Sequence, residues 1–255
     1  MTRSVLQSRG NAEVGMAVTL LTGVDRLSMD AVAFSLVDSC PSVCSITYDV
    51  RRDDDAESGL DVVWRMDEPM EGGAMFGTSD SFALQDCCLS CEVKHHAARL
   101  LESVAGRVDS VLISLPIGVE ATPVAQYLDD LFRLDDWGEG SRVAAIADAV
   151  GLDEFEERFF DDDLLCLCGV GADDSLFDER STGAVVSRLI REASHVLELP
   201  VVGSGCLARH VDALGECACR DIIRAIAKRG AVVHEDAHDV SLQSLCSRDH
   251  AVSLL

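Results

Sequence analysis

The stretch Val18–Ala31, VTLLTGVDRLSMDA, decides how this chain is expected to fold. It contains most of a predicted β strand, Ala17–Thr22, whose apolar and β-branched residues run up to Gly23. A helical segment follows from about residue 27 to residue 37. Nucleotide-binding proteins place a phosphate-binding loop in this order of strand, glycine turn and helix. The stretch is therefore the first place to look for a nucleotide site.

The phosphate loop itself is degenerate. A working loop reads G-x-x-x-x-G-K-[ST], because its backbone amides wrap the phosphates, its Lys neutralises them and its hydroxyl binds magnesium. Only Gly23 is in place here, while Ser28, Met29 and Asp30 stand where the second glycine, the lysine and the Ser/Thr belong. Met29 removes a positive charge and Asp30 adds a negative one. We therefore do not expect tight GTP binding or hydrolysis at these four positions.

The rest of the chain alternates between strands and helices at the spacing of βαβ units. We therefore predict an α/β fold, with a mainly parallel sheet flanked by helices in the three-layer, P-loop NTPase-like architecture. One domain covering residues 1–255, with an ordered core at about 16–235, is the simplest division. Strands are predicted at 43–50, 60–66, 82–85, 108–115, 142–147, 195–202 and 231–234, helices at 90–104, 122–132, 153–160, 181–193 and 219–228, loops at 51–59 and 69–81, and a terminal helix or loose tail at 236–255.

Composition excludes several classes of function. The formal net charge of −24 repels the phosphates of nucleic acid and the anionic surface of a membrane, so we expect neither as a partner. Because no run of about 18 apolar residues occurs, we expect no spanning helix. The first fifteen residues lack the apolar core of a secretory signal, and we expect a cytoplasmic protein. Its eleven cysteines are then expected to be reduced thiols.

A cluster of cysteines and histidine precedes and opens the helix at 90–104. If that helix begins near Cys88, then Cys88, Cys91 and His95 fall on one face, with Cys87 beside them. Thiolates and imidazole are ligands that zinc prefers, and a helix N-terminus favours the thiolate form. Glu92 is an additional oxygen ligand or an outer-shell group in this interpretation. One C-x-x-C is also compatible with a redox pair or with buried, inert cysteine.

Several segments together resemble the CobW-type metallochaperone GTPases. The run VTLLTG at 18–23 resembles the first strand of that family, and DCCLSC at 86–91 is similar to its cysteine-rich metal motif. The segment VLISLPIGVEATP at 111–123 resembles the part that carries a switch-like acidic residue and glycine. The segment ASHVLEL at 193–199 is placed like the strand before the guanine-reading Asn-Lys-x-Asp. These matches keep the order of the family over most of the chain.

The departures from the family are as informative as the matches. Leu115 stands about where the family has a Glu, and Leu199, Pro200, Val201 and Val202 stand where Asn-Lys-x-Asp belongs. We also expect the family's smaller C-terminal domain to be missing. The resemblance implies zinc as the bound ion, with a client metalloprotein or an active homologue as partner. GTP and magnesium are doubtful cofactors. A residual GTPase and a non-catalytic interaction domain remain as alternative hypotheses.

No other motif points to a definite chemistry. The sequence has no G-x-S-x-G and no G-x-G-x-x-G dinucleotide fingerprint. Packing is the favoured interpretation of the paired cysteines at 40 and 44 and at 217 and 219. The run HEDAHD at 234–239 is a second candidate ligand group, because His234 and His238 would share a helix face and suit a metal ion if that segment were helical. An exposed tail is the favoured interpretation.

Overall fold

The computed structural model describes residues 15–52, 59–70, 75–84, 88–165, 180–201 and 214–247. Within these ranges the chain forms eight strands, seven α-helices and two 3₁₀ turns, the turns at Asp136–Gly138 and Ala237–Asp239. The strands are β1 Ala17–Gly23, β2 Val43–Arg52, β3 Leu60–Pro69, β4 Met75–Ala83, β5 Ser110–Ser114, β6 Arg142–Gly151, β7 His195–Leu199 and β8 Val232–His234. The helices are α1 Arg26–Asp38, α2 Leu89–Val104, α3 Ala121–Leu134, α4 Phe155–Phe159, α5 Thr182–Glu192, α6 Glu216–Ile226 and α7 Leu242–Leu245.

All eight strands belong to one sheet in the order β4-β3-β2-β5-β1-β6-β7-β8. The six strands β2, β5, β1, β6, β7 and β8 run parallel to one another. At one edge of the sheet, β3 pairs antiparallel with β2, and β4 pairs antiparallel with β3. The strand β1 lies between β5 and β6, so that Leu20 pairs with Ile113 on one side and Ile146 on the other. The predicted α/β fold with a mainly parallel sheet is confirmed.

Helices cover both faces of the sheet. Neighbouring residues of β1 show this division, because Leu20 belongs to the larger apolar cluster and Leu21 to the smaller one. Residues of α2, α3, α5 and α6 complete the larger cluster, while α1, α7 and Ala237 complete the smaller one. Strands buried on both faces need nearly continuous apolar runs, and β1 and β5 have them. Helices on both faces of one sheet give the predicted three-layer, P-loop NTPase-like architecture.

The prediction of a loop at 69–81 is wrong, because residues 75–83 form the edge strand β4. This strand pairs antiparallel with β3, for example through Val62 and Phe82. Its glycine and serine residues and its mostly exposed side chains give no apolar alternation. Backbone hydrogen bonds to β3 define the strand, and these are invisible to a pattern of side chains. The short strand predicted at 82–85 is the end of β4, and residue 85 lies outside the described residues.

The predicted tail at 236–255 is packed against the body as far as it is described. Leu242 and Leu245 of α7 are fully buried, and the N–H of Leu242 donates to the Ser39 hydroxyl at 3.0 Å. Residues 248–255 lie outside the described part of the chain. Among the helices of the described residues, none has both the length and the apolar character needed to cross a membrane.

Candidate functional site

The connection from β1 to α1 consists of two residues, Val24 and Asp25. Asp25 caps the helix, because its carboxylate accepts the N–H of Ser28 at 2.6 Å. The next amide along the helix, that of Met29, donates to the Asp25 carbonyl at 3.0 Å. The amino end of α1 therefore carries an anion that belongs to the chain itself, in the way that an N-cap residue normally satisfies a helix.

The four residues of the predicted phosphate loop do not form a cradle. Met29 is buried to 1% exposure, and a Cβ added to Gly23 would lie 2.7 Å from the Met29 Cγ. Ser28 is buried as well, with its hydroxyl close to Gly151. Asp30 points outward with 60% of its side chain exposed, 3.9 Å from the guanidinium of Arg26. The structure therefore places two of these side chains in the interior and one in solvent.

The loop after β5 closes over the end of β1. The N–H of Gly118 donates to the Gly23 carbonyl at 2.9 Å. Gly118 has a φ of 72°, and a Cβ at this position would lie 2.4 Å from the Leu165 Cδ2. The residues over this end of the sheet are apolar, because Val24 and Ile117 pack on the cluster of Leu165, Val185 and Leu189. Apolar side chains thus cover the region where an intact phosphate loop would hold the phosphates of a nucleotide.

Beside this cluster lies a cavity of about 20 Å³, lined by Val24, Asp25, Asp148 and Arg158 among others. This volume suffices for about one water molecule. Asp148 is almost fully buried, and it accepts a hydrogen bond from the Thr22 hydroxyl at 2.9 Å. Burial raises the pKa of Asp148 well above its ordinary value, an effect that the Thr22 hydrogen bond only partly offsets. The cavity is too small for a nucleoside phosphate.

The amino end of α3 is capped by a carboxylate that belongs to another helix, α5. The carboxylate of Glu192, at the end of α5, accepts the N–H of Ala121 at 2.6 Å and the hydroxyl of Thr122 at 2.6 Å. Burial raises the pKa of Glu192, and these hydrogen bonds oppose that effect. The sequence predicts the start of α3 correctly. It does not predict the cap, because about 70 residues separate Glu192 from the helix that it caps.

The end of β7 carries a buried ion pair. Glu198 is fully buried there, and its Oε2 accepts from the Arg220 Nε at 2.8 Å. Burial raises the pKa of Glu198, while its hydrogen bond and charge pairing with Arg220 lower it. The strand ends at Leu199, and Pro200 and Val201 follow it, whereas Val202 lies outside the described residues. A salt bridge between β7 and α6 therefore occupies this end of the sheet, and sequence reasoning did not anticipate it.

The cysteine motif lies at the amino end of α2, as predicted. Cys88 is the N-cap residue, and its carbonyl accepts the N–H of Cys91 at 3.0 Å, so that both thiols belong to the first turn. Both residues are partly exposed, and the Cys88 Sγ lies 3.2 Å from the Ser90 hydroxyl. Burial raises the pKa of Cys88, but hydrogen bonds from Cys91 and Ser90 outweigh it, and the net pKa is lowered.

The predicted ligand His95 does not join this pair. The exposed ring of His95 lies 5.0 Å from the ring of Tyr127, which the Lys94 ammonium also approaches at 5.2 Å. Cys87 lies outside the described residues. Within the described ranges, no three side chains of His, Cys, Asp or Glu converge as metal ligands. The structure thus brings Cys88 and Cys91 together and leaves His95 against α3.

His96, the neighbour of His95, occupies an aromatic site that the sequence analysis missed. Its Nδ1 lies 2.9 Å from the Tyr48 hydroxyl, and the rings of Trp64 and Phe82 lie within 5.0 Å of its own. Partial burial and the charge of Arg99 lower the pKa of His96 to about 4. The imidazole is therefore neutral near pH 7 and fixes α2 to the hairpins of β2, β3 and β4.

The other described cysteines and histidines lie away from this pair of thiols. Cys40, Cys44 and Cys219 are buried, whereas Cys217 is exposed on the opposite side of α6. The described cysteines form no disulfide bond. The helical interpretation of the two C-terminal histidines is wrong, because one lies in β8 and the other in a 3₁₀ turn. The exposed-tail interpretation also fails for His234, which is half-buried and lies 3.0 Å from the Nδ1 of His195.

Comparison with known proteins supports the fold. No family model matches the chain, and no curated protein matches it in sequence. One similar solved structure is the Zn(II)-bound YjiA GTPase from E. coli, with a TM-score of 0.49 and 12% identity over 93% of this chain. Another is a Zn(II)-bound triple mutant of the YjiA GTPase, with a TM-score of 0.50 and 13% identity over 92% of this chain. The chain spans 62% of the length of each.

Two features of the described residues bear on function: the pair of thiols on α2, and the end of β1, which other parts of the chain cover. The thiols of Cys88 and Cys91 are accessible and share the first turn of a helix, where a soft metal ion or an oxidant can reach them. At the end of β1, by contrast, the amides of Ser28, Met29 and Gly118 already donate within the chain. The pair of thiols suits metal coordination, whereas the end of β1 leaves few amide donors for a phosphate.

Proposed function

We propose that this chain is a CobW-like metal-handling protein, a single domain that binds a zinc-class ion and does not couple that binding to GTP. Its ligands would be the thiolates of Cys88 and Cys91, with Cys87 as a further ligand. The observation that carries the proposal is the pairing of two accessible thiols on the first turn of α2, where the pKa of Cys88 is lowered. Thiolate is the form of cysteine that binds metal.

The donor set fits zinc. Zinc prefers sulfur and nitrogen ligands in a tetrahedral arrangement, and sulfur ligands also suit Cu(I). Two or three thiolates from one turn leave at least one position for water or for a ligand from another protein. An ion held in this way can be transferred, which a closed four-cysteine site does not favour. The zinc-bound state of the structurally similar GTPases is consistent with this choice of metal.

The closed end of β1 supports the absence of nucleotide coupling. A phosphate loop needs free amides and a lysine, whereas here the amides of Ser28 and Met29 donate within the chain and Met29 is buried at the lysine position. Binding of GTP would require Asp25 to leave the helix end and the apolar cluster around Leu165 to open. The guanine-reading position offers Leu199, Pro200 and Val201 in place of hydrogen-bonding side chains. We infer a degenerate nucleotide site on an intact scaffold.

The test is a zinc titration of the reduced, metal-free protein against a chromophoric chelator. The unchanged protein is expected to take up about one equivalent, because Cys88 and Cys91 contribute to one site. The double variant Cys88→Ser with Cys91→Ser is expected to lose this uptake. Cys217→Ser, which removes an exposed thiol elsewhere, is the matched control and is expected to retain it. Equal uptake by all three proteins would contradict the proposal.

A further inference from the structure

The outer face of α1, formed by Leu27, Asp30, Phe34 and Asp38, carries apolar and acidic side chains in alternation. These residues follow one another at intervals of three or four, so that they lie on one stripe of the helix. Leu27 is 77% exposed and Phe34 75% exposed. The two apolar side chains stand two helical turns apart, about 10.5 Å along the axis. The opposite face of α1, with Met29, packs on the sheet.

We propose that the outer face of α1 is a docking surface for a basic amphipathic helix of another protein. Leu27 and Phe34 would enter the apolar stripe of that helix, in the manner of residues at i and i+7. Asp30 and Asp38 would pair with lysine or arginine residues that flank the stripe. This surface is separate from the cysteine motif, and the inference does not depend on metal binding.

The charges on α1 favour a cationic partner. Asp38 is the last residue of the helix, at the end where the helix dipole is negative, and the last turn contains no basic residue. The ion pair of Arg26 with Asp30 has the basic residue first, which is the less favourable order at this spacing. Neither acid is therefore placed where it stabilises α1 well. An external cation would compensate both.

A second copy of this chain does not fit the same surface. The only basic residue of α1 is Arg26, which already pairs with Asp49 of β2. Two copies that met through this face would bring Asp30 and Asp38 of each copy together without opposing charges. The net charge of −24 on each chain adds long-range repulsion. Charge complementarity therefore selects a basic helix over self-association.

The probe for the experiment is a fluorescein-labelled peptide of 18 residues made of leucine, lysine and alanine. Its leucines follow helical spacing on one side, with lysines on both flanks. An isomer with the same composition and scattered leucines controls for charge alone. Binding is measured by fluorescence anisotropy at physiological and at high salt, because exposed charge pairs are screened by salt whereas apolar contacts are not.

Three variants separate the contributions. Leu27→Ser with Phe34→Ser removes the apolar side chains at constant charge, and at least a tenfold loss of affinity is expected. Asp30→Asn with Asp38→Asn is expected to weaken binding several-fold and to reduce its salt dependence. Leu134→Ser, which removes an equally exposed leucine from α3 at 79% exposure, is the matched control and is expected to change nothing.

Three results would overturn the inference. The first is equal affinity of the Leu27→Ser, Phe34→Ser protein and the unchanged protein, and the second is an equal loss in Leu134→Ser. The third is a dimer of the unchanged protein in sedimentation that the Leu27→Ser, Phe34→Ser changes dissociate, since a second copy would then be the occupant. Because all these side chains are exposed, circular dichroism is expected to show unchanged folding. Amide exchange of residues 26–38 that slows on peptide binding would support the inference directly.

Discussion

The carboxylate of Asp25 accepts the backbone N–H of Ser28 at 2.6 Å. In a phosphate loop the amides at the start of the helix face a phosphate, and here a side chain of the protein itself takes that place. The contact stabilises α1 as an ordinary N-cap does. It also means that a nucleotide would have to displace a group that belongs to the fold.

Removing this cap is expected to cost stability. Asp25→Ala should lower the free energy of unfolding by about 1 kcal/mol, since an N-cap acid satisfies an amide that otherwise lacks a partner. Urea unfolding measures the change. Asp30→Ala is the control, because Asp30 is largely exposed and its contact with Arg26 is long, so that its loss should have little effect. An equal effect of both substitutions would show that Asp25 is not a cap.

A lysine introduced at position 29 is not expected to produce GTP binding. Met29→Lys should destabilise the fold by about 3 kcal/mol or more, because Met29 is 1% exposed and an ammonium there would be buried without a partner. Met29→Leu keeps the volume and should cost less than about 1.5 kcal/mol. Urea unfolding of both variants provides the comparison. A stable Met29→Lys protein that binds GTP would mean that the loop opens more readily than its packing indicates.

The sequence predicted the sheet more successfully than the tertiary contacts made at its edges and at the helix ends. Strand β1 and helix α1 could be predicted because their patterns are local. By contrast, the sequence predicts a loop where β4 lies, since an exposed edge strand has no apolar alternation. The contact of Gly118 with Leu165 and the cap that Glu192 provides for α3 join residues far apart in the chain. Such contacts depend on tertiary packing, which single-sequence patterns do not encode.

The same limit applies to the candidate ligands. The spacing of Cys88 and Cys91 placed both on the first turn of α2, because one helical turn is a local geometry. His95 lies one turn further along, and its contact with Tyr127 depends on how α3 packs against α2. Likewise, nothing local distinguished His96, whose contact with Tyr48 crosses 48 residues. The sequence predicted the pair of thiols but not the surroundings of the histidines.

The reactivity of the thiols should follow their pKa values. Hydrogen bonds at the helix end lower the pKa of Cys88, so its alkylation by iodoacetamide should reach half its maximum rate at a lower pH than that of an unperturbed cysteine thiol. Burial raises the pKa of Cys44 to about 12, and Cys44 should stay unmodified in the folded protein. Peptide mass spectrometry after timed alkylation distinguishes the two. Faster modification of Cys44 than of Cys88 would refute this order.

Protonation of His96 should make stability depend on pH. Its pKa is about 4 in the folded protein, against about 6.5 in an unfolded chain. Between these values the unfolded chain binds a proton that the native state does not, so stability falls as the pH falls from about 6.5 towards 4. The flanking charges of Arg99 and Asp80 act on the imidazole in opposite directions.

His96→Gln isolates this contribution. Buried acids such as Asp148 titrate in both proteins, so their contribution cancels when the two urea midpoints are subtracted at each pH. The unchanged protein should lose more stability than His96→Gln between pH 7 and pH 5. Parallel curves for the two proteins would mean that His96 is as accessible to protons in the native state as in the unfolded chain.

The most direct test of a metal-binding protein without nucleotide coupling is calorimetry of the reduced, metal-free chain. GTP with magnesium is titrated into the protein with and without one equivalent of zinc, and zinc is titrated alone. We predict heat from zinc and no binding of GTP in either state. Asp25 accepts amides of α1 that would face a phosphate, Met29 is buried at the lysine position, and the amide of Gly118 donates within the chain. Micromolar binding of GTP, with or without zinc, would contradict this prediction and would identify a working nucleotide site.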